Sequence, residues 1–490
     1  MLNLAGEAAP FSVAIIAIPI LIHGIGIDRY GVLTLIMLAV GYFGVFNLGL
    51  GSAASKFIAD AAASGDHREI PGFFWTSLLF MFGFGVCGGI LVAALSPWLV
   101  VNVLKITPRL QGESLHSFYL LALSLPFVLS GDSLNGTLSA FQRFDLINAI
   151  RVPSGIFYFI APLLVLPFSS NLGWIVASIV LVRLASWAAK FALCIHIIPG
   201  LRQQFGPLRP MIGPMLRFGG WVTISAMAVP LMEYADRFII GAMASLAAVA
   251  YYAVPYQITN KLRLVPAALS DVMFPALSGS IVRDPARAAL IFERSARCIL
   301  LTLFSPVLFI VTLAPEGLAL WLGPSFAEHS AIVMRWLAFA MFINSLARTP
   351  YVLLPAAHRP DLVAKLYSAE LPGFFLLLCG MLWKYGVAGA AASYAVRTAV
   401  EGIGLFIMAR GVLPELGPAI GRIARMASVS LAILAVGMVP MTIFTKGIFL
   451  AATCALYALA CWVIFFEPEE KDFVRAYLHT ARVFVIGASE

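Results

Sequence analysis

Eight cations and six anions stand inside stretches of this sequence that are otherwise apolar, and they are the groups with chemistry to offer. The cations are Arg183, Lys190, Arg237, Lys261, Arg263, Arg335, Arg348 and Arg397. The anions are Asp132, Glu233, Asp236, Asp271, Glu370 and Glu401. An ionisable group at mid-bilayer costs roughly 2.5–3.5 kcal/mol on insertion scales, so each is expected to turn toward a partner or a wet cavity. Glu233 and Arg237 are four residues apart, as are Arg397 and Glu401. Each pair could close a salt bridge on one helix face. Arg335, near an outer span end, and Lys190, near an inner one, could snorkel to the interface. Arg183, Lys261, Arg263 and Arg348 have no such partner on their own helix. Lys261 and Arg263, two apart, point to nearly opposite sides of a helix. The excess of cations predicts a positive lumen. Such a lumen suits an anionic passenger such as a phosphate or pyrophosphate, because a guanidinium matches phosphate oxygens and stays charged when buried.

The elements that carry these groups follow from composition. Of 490 residues, 61% are hydrophobic and only 11% charged, whereas soluble domains average about 25% charged. A soluble enzyme, a nucleic-acid reader and a disordered scaffold are excluded. The net charge of +8 then reads as cationic cytoplasmic loops rather than nucleic-acid affinity. A crossing helix needs about 20 apolar residues, and fourteen segments qualify. Alternating segments of about ten residues, the mark of an outer-membrane barrel, do not occur. With the N-terminus inside, the inward loops and tails hold 19 Lys and Arg against 5 outward. Both termini are therefore predicted cytoplasmic. No basic segment precedes the first apolar run, Phe11–Ile27, which is read as a retained helix rather than a signal peptide.

The predicted class is an all-α polytopic membrane protein. Residues 1–200 form an N-terminal lobe of spans 1–6, and 201–215 a cytoplasmic linker. Residues 216–410 form a C-terminal lobe of spans 7–12, 411–466 two additional helices, and 467–490 an amphipathic cytoplasmic tail. Span eight is placed at Val249–Phe274 and an outward loop at Ala314–Ser330. The basic stretch Arg283–Arg297 opens with an Asp284 N-cap and Pro285 at the first helical position, and is read as a surface helix against anionic headgroups. Pro126, Pro153, Pro230, Pro255, Pro266 and Pro372 interrupt spans; Pro126, Pro230, Pro255 and Pro266 are the candidate hinges. Asn47-Leu48-Gly49-Leu50-Gly51 adds a polar residue and close-packing glycines. The six cysteines stand singly without a CxxC, which predicts neither a metal site nor a disulfide framework. HExxH, GxSxG, Walker and dinucleotide-binding motifs do not occur, so the protein is expected not to be an enzyme and to need no cofactor.

Four places resemble the lipid-linked oligosaccharide flippases, the polysaccharide-export branch of the superfamily that also holds the multidrug extruders and lipid II flippases. They are Gly26-Ile27-Asp28-Arg29-Tyr30-Gly31-Val32; Phe46-Asn47-Leu48-Gly49-Leu50 with Ala53, Ala54 and Lys56; Asp236-Arg237-Phe238-Ile239-Ile240-Gly241 with Val249-Ala250-Tyr251-Tyr252; and the basic helix Arg283–Arg297. The family often has Asp where this chain has Asn47, so the resemblance carries no coupling role over to that position. The resemblance implies about 14 transmembrane helices, two six-helix lobes around a central cavity (MATE-like) and two C-terminal helices. It implies alternating access in the bacterial inner membrane, moving an undecaprenyl-pyrophosphate-linked oligosaccharide from the cytoplasmic to the periplasmic leaflet for O-antigen, capsule or exopolysaccharide synthesis. By the resemblance Arg237, Lys261, Arg263 and Arg397 would hold the pyrophosphate, with Arg183 and Arg348 as further cavity cations. Asp236, Asp132, Glu233, Glu401 and Asp271 would couple transport to H+ or Na+. A polysaccharide polymerase and a chain-length regulator are the implied protein partners, with no nucleic acid. The alternative is a MATE-like ion-coupled exporter of small molecules.

Overall fold

The computed structural model describes residues 2–45, 50–64, 68–198, 200, 201, 213 and 228–460. Among the described residues the regular elements are helical and no strand occurs. In chain order the helices are α1 (Leu2–Ile25), α2 (Ile27–Val45), α3 (Leu50–Ser64), α4 (Ile70–Trp98), α5 (Pro108–Ala140), α6 (Phe144–Val165), α7 (Leu172–Ile197) and α8 (Ala228–Met243). They continue as α9 (Leu246–Thr259), α10 (Leu264–Ser280), α11 (Pro285–Leu322), α12 (Pro324–Ala356), α13 (Pro360–Val412), α14 (Gly417–Gly437) and α15 (Ile443–Ala460). Among the described residues eight helical stretches are long and apolar enough to cross a membrane, and Ala9–Ile25 and Ile443–Tyr457 are shorter apolar helices. The chain is a multi-pass membrane protein. α13, at 53 residues, would span roughly 80 Å as one rod, far beyond the ~30 Å hydrocarbon core. It is two helices broken at Gly386, where φ is +61°. That break falls between the predicted eleventh and twelfth spans, which the sequence places at Tyr367–Lys384 and Val387–Met408.

The helices fall into two compact units. The first holds Met1–Pro255 and Ala364–Ser393, the second Tyr256–Val363 and Tyr394–Glu490. In the first, α5 is the hub, packed by α2, α3, α4, α6 and α7. Its buried face is rich in Ser and Thr, including Ser117, Ser124, Ser130, Ser133 and Thr137. Most of these hydroxyls are satisfied within the helix: Ser124 donates to the Leu121 carbonyl at 2.7 Å, Ser130 to Pro126 at 2.6 Å and Thr137 to Ser133 at 2.9 Å. Ser133 instead meets the Ser77 hydroxyl of α4, and Ser130 also accepts from the Trp187 indole of α7 at 2.9 Å, so the helix presents a small surface bonded partly to itself and partly to its neighbours. Pro126, lacking an N–H, leaves the Ala122 carbonyl without its helical donor. Gly85 and Gly89 of α4 sit over this notch; a Cβ on Gly85 would strike the Pro126 backbone, and one on Gly89 would lie 2.6 Å from the Ala122 oxygen. Four-residue glycine spacing lets two membrane helices approach this closely.

The motif at Gly26–Val32 is an inter-helix turn. Gly26 ends α1 with φ +83°, Tyr30 is buried, and a Cβ on Gly31 would collide with the Leu246 carbonyl at the start of α9. Arg29 grips Glu113 of α5 through two bonds, Nε to Oε2 at 2.8 Å and Nη2 to Oε1 at 2.9 Å. The same carboxylate accepts from the Leu172 amide at 3.3 Å. One acidic side chain thus ties the ends of α2, α5 and α7.

In the second unit α11 is the hub, packed by α10, α12, α14 and α15 around Phe292, Ile299, Leu303, Val307 and Val311. Three expectations are corrected here. Arg283–Arg297 is not a separate surface helix. Asp284 does cap it, accepting from the Arg287 amide at 3.0 Å, with Pro285 in the first turn, but the helix runs unbroken to Leu322. Ala288, Phe292 and Ala296 are buried, so an apolar stripe between the arginines holds this stretch against its neighbours. Ala314–Ser330 is not a loop: α11 passes directly into α12 through Gly323, at φ +92°. Arg335 does not snorkel. It is 9% exposed and donates to two main-chain carbonyls, Val311 at 3.0 Å and Met438 at 3.1 Å, the latter just past the end of α14. α14 and α15 are locked to α11 as well, by Arg422–Glu293, by Lys446 Nζ to Glu316 Oε1 at 2.7 Å and by the Phe304–Tyr457 ring pair at 4.6 Å. Asn47 and its neighbours Phe46, Leu48 and Gly49, most of the linker, and the 467–490 tail lie outside the described residues.

Replacing Gly89 by Val should destabilise the purified protein by about 1–3 kcal/mol through overpacking against α5. A thermal-unfolding series in detergent checks it, with Gly83→Val, whose Cβ meets open space, as the comparison; equal losses for both would refute the notch.

Candidate functional site

The buried charges sort into distinct settings. In the first unit Asp236 and Arg237 of α8 are 0% and 1% exposed. Asp236 Oδ1 accepts from the Arg237 amide at 2.7 Å and lies 3.6 Å from Arg237 Nη1. Its Oδ2 accepts from the Tyr252 hydroxyl of α9 at 2.8 Å, and the guanidinium stands 5.7 Å from the Tyr252 ring centre. Glu233 and Pro230 are on α8, with side chains outside the described residues. Arg183 of α7 donates through Nη2 to the Tyr158 hydroxyl of α6 at 3.2 Å and lies 5.4 Å over that ring. Asp132 of α5 is half-buried and attracts Lys190 of α7. Beside it, a Cβ on Gly51 would come within 3.0 Å of the Asp132 carbonyl.

In the second unit Lys261 and Arg263 lie not on a continuous span but on a 3-10 turn, Asn260–Arg263, that separates α9 from α10. A 3-10 stretch inside a long helical run is a common hinge. Pro255 stands inside α9 and Pro266 is the third residue of α10. At that position the missing N–H costs nothing, because the first helical amides have no partner within the helix. Lys261 and Arg263 are half-buried, and Arg263 Nη1 reaches Asn260 Oδ1 at 3.4 Å. The turn packs against α12, which carries Arg348. Arg348 donates through Nε to Ser270 of α10 at 3.1 Å and lies 4.6 Å over the Tyr351 ring; Asp271, next to Ser270, is exposed. Arg397 and Glu401 close the predicted pair at 3.1 Å while 8% and 4% exposed. Arg397 is also 5.1 Å over Tyr394, whose ring meets Tyr256 edge-on at 6.0 Å.

Arg183, Arg237, Arg348 and Arg397 thus each rest on a tyrosine face. A desolvated cation over an aromatic ring gains up to about 2 kcal/mol while the guanidinium edge stays able to donate. The carboxylates separate them further. Arg237 and Arg397 are neutralised by Asp236 and Glu401. Among the described residues Arg183 and Arg348 pair with no carboxylate; hydroxyls hold them. The tyrosines were missed in the sequence. Tyr351 and Tyr394 were legible there, three residues from Arg348 and Arg397, but Tyr158 and Tyr252 arrive from other helices.

The family described as Polysaccharide biosynthesis protein matches residues 4–280, more than half of the chain. The chain belongs to this family. The family member is 29% identical over 408 residues to a Shigella flexneri protein named "Putative O-antigen transporter", covering 82% of this chain and 94% of that one. Among solved structures, it is similar to an inward-facing multidrug resistance MATE family transporter of the MOP superfamily, with TM-score 0.72 and 13% identity over 87% of this chain and 99% of the other. It is similar also to the lipid II flippase MurJ in an inward closed conformation, with TM-score 0.66 and 13% identity over 93% and 97%. The Polysaccharide biosynthesis protein family member therefore has a MATE-like fold, as the sequence resemblance implies.

Arg397→Leu should destabilise this protein by about 3–5 kcal/mol, because Glu401 is left buried without its cation. Arg397→Leu with Glu401→Leu should recover most of that loss, and Arg348→Gln should cost far less. Unfolding midpoints of the four proteins check the order.

Proposed function

We propose that the protein is a flippase that moves an undecaprenyl-pyrophosphate-linked oligosaccharide repeat unit from the cytoplasmic to the periplasmic leaflet by alternating access, for O-antigen, capsule or exopolysaccharide synthesis. The bacterial inner membrane, with both termini cytoplasmic, is the corresponding setting. The observation that carries the reading is that two tyrosine-seated arginines of a polysaccharide-biosynthesis chain, Arg183 and Arg348, pair with hydroxyls and, among the described residues, with no carboxylate. An uncompensated guanidinium within apolar helices is a costly arrangement that a pyrophosphate would relieve. Lys261 and Arg263, on the 3-10 turn, are the further head-group candidates. The carboxylate-paired Arg237 and Arg397 would engage the substrate only when their carboxylates are protonated or displaced. That links them to the proposed H+ or Na+ coupling through Asp236 and Glu401, with Asp132, Glu233 and Asp271 as the other acidic candidates. A polymerase and a chain-length regulator would act on the product.

The fold similarity to a multidrug transporter supports a second reading, ion-coupled export of small molecules. A carrier of organic cations needs carboxylates that stay uncompensated, whereas Asp236 and Glu401 here are both held against arginines.

In a strain lacking its own copy, Lys261→Ala with Arg263→Ala should abolish export of the cognate glycan while the chain still inserts. Arg348→Gln and Arg183→Gln should each reduce export at least tenfold, the loss expected for one charge-assisted contact of about 1.5–3 kcal/mol. Surface glycan and membrane-inserted protein are measured together. Undiminished export from all three would count against a cationic head-group site.

A further inference from the structure

Two apolar clefts flank α14 in the second unit. One, of about 510 Å³, lies between α11, α14 and α15 and takes Arg425, Val429, Ile433 and Val436 from α14. The other, of about 470 Å³, lies between α12, α13 and α14 and takes Ile420, Ala424, Ala427 and Leu431 from the same helix. At 100° per residue these two sets point to opposite sides of α14. Each cleft carries an arginine near one end, Arg425 in the first and Arg410 in the second. Their other polar groups are occupied internally: Tyr457 donates to the Leu301 carbonyl at 2.6 Å and Ser428 to Ala424 at 2.7 Å. Lengths match as well. Arg425 and Val436, and Ala399 and Arg410, are each eleven residues apart, about 16 Å of helix, which is close to the depth of one leaflet of a ~30 Å core.

Charge singles out the occupant. Arg422, on the same helix, is matched by Glu293. Among the described residues Arg410 and Arg425 pair with no carboxylate, and both are exposed. Arg425 leans back toward the start of α14, with Nε 3.4 Å from the Gly421 carbonyl. Arg410 comes to the same end, its Nε within 3.9 Å of where a Gly417 Cβ would stand. Two unmatched cations at the N-terminal half of α14, Arg410 beside its first turn and Arg425 at its ninth residue, each at one end of a cleft about one leaflet deep, fit a single negative headgroup with two chains. We propose that α14 carries a binding site for an anionic diacyl phospholipid, one acyl chain in each cleft and the headgroup phosphate at Arg410 and Arg425. A single polyisoprenoid chain would fill one cleft and leave the other open. The site does not rest on the flippase reading, because it is tested by lipid retention on the purified chain, whatever glycan export shows.

The test is native mass spectrometry of the full-length protein taken from phosphatidylcholine vesicles that contain phosphatidylglycerol, lyso-phosphatidylglycerol or undecaprenyl phosphate. The wild type should retain phosphatidylglycerol in preference to phosphatidylcholine, and retain the lyso lipid more weakly. Arg410→Gln and Arg425→Gln should each lower the preference about fivefold, whereas Arg410→Lys and Arg425→Lys should keep it. Ala427→Phe, which fills the second cleft, should reduce retention with both arginines intact. Equal retention of the two diacyl lipids, unchanged preference in the glutamine variants, equal retention of the lyso lipid, or displacement of phosphatidylglycerol by undecaprenyl phosphate would each overturn the proposal.

Discussion

A guanidinium cannot be left alone in hydrocarbon, and that constraint organises the interior of this protein. The chain meets it in several ways. Arg237 and Arg397 take carboxylates, Arg183 and Arg348 take a hydroxyl with a tyrosine face, and Arg335 takes two main-chain carbonyls. These arrangements are not equivalent. A carboxylate cancels the charge, whereas a hydroxyl, an aromatic face or a carbonyl only lowers the cost of keeping it. The choice of partner therefore determines where positive potential survives inside the membrane.

Helix packing is subordinate to the same constraint. α5 can approach its neighbours because its buried polar residues are small and bonded either within the helix or directly to α4 and α7. α11 has the opposite character, a long apolar stripe of large side chains around which the second unit condenses. Membrane helices gain little from burying one another's apolar surface, since lipid is equally apolar, so close backbone approach and specific polar contacts must supply the difference. Gly85 and Gly89 over the Pro126 notch are one instance, and the Lys446–Glu316 pair holding α15 is another.

Much of this was legible in the sequence, and the failures share a cause. Helical class, the glycine turn at Gly26, the break before Val387, the Asp284 cap and the Arg397–Glu401 pair all depend on residues close together in the chain. Composition and short-range spacing report such features directly. The surface helix at Arg283–Arg297 failed because charge density was read without the apolar stripe of Ala288, Phe292 and Ala296 between the arginines. The loop at Ala314–Ser330 failed because a single glycine at φ +92° can reverse direction where a longer connection was assumed. Arg237 lies against its neighbour Asp236, a contact that helical-face spacing does not suggest, while the Glu233–Arg237 pair lies outside the described residues. Arg335 found carbonyls 24 and 103 residues away, contacts that no local pattern encodes.

The turn at Asn260–Arg263 differs from the rest in how it is fastened. Glu113 bolts three helix ends together, and α11 is clasped along its length, but between α9 and α10 the helical ladder changes pitch over four residues. Lys261 and Arg263 stand on that turn. In the proposed flippase an anionic head group held by them would act on the change of pitch directly, so binding and bending would need no separate transmission.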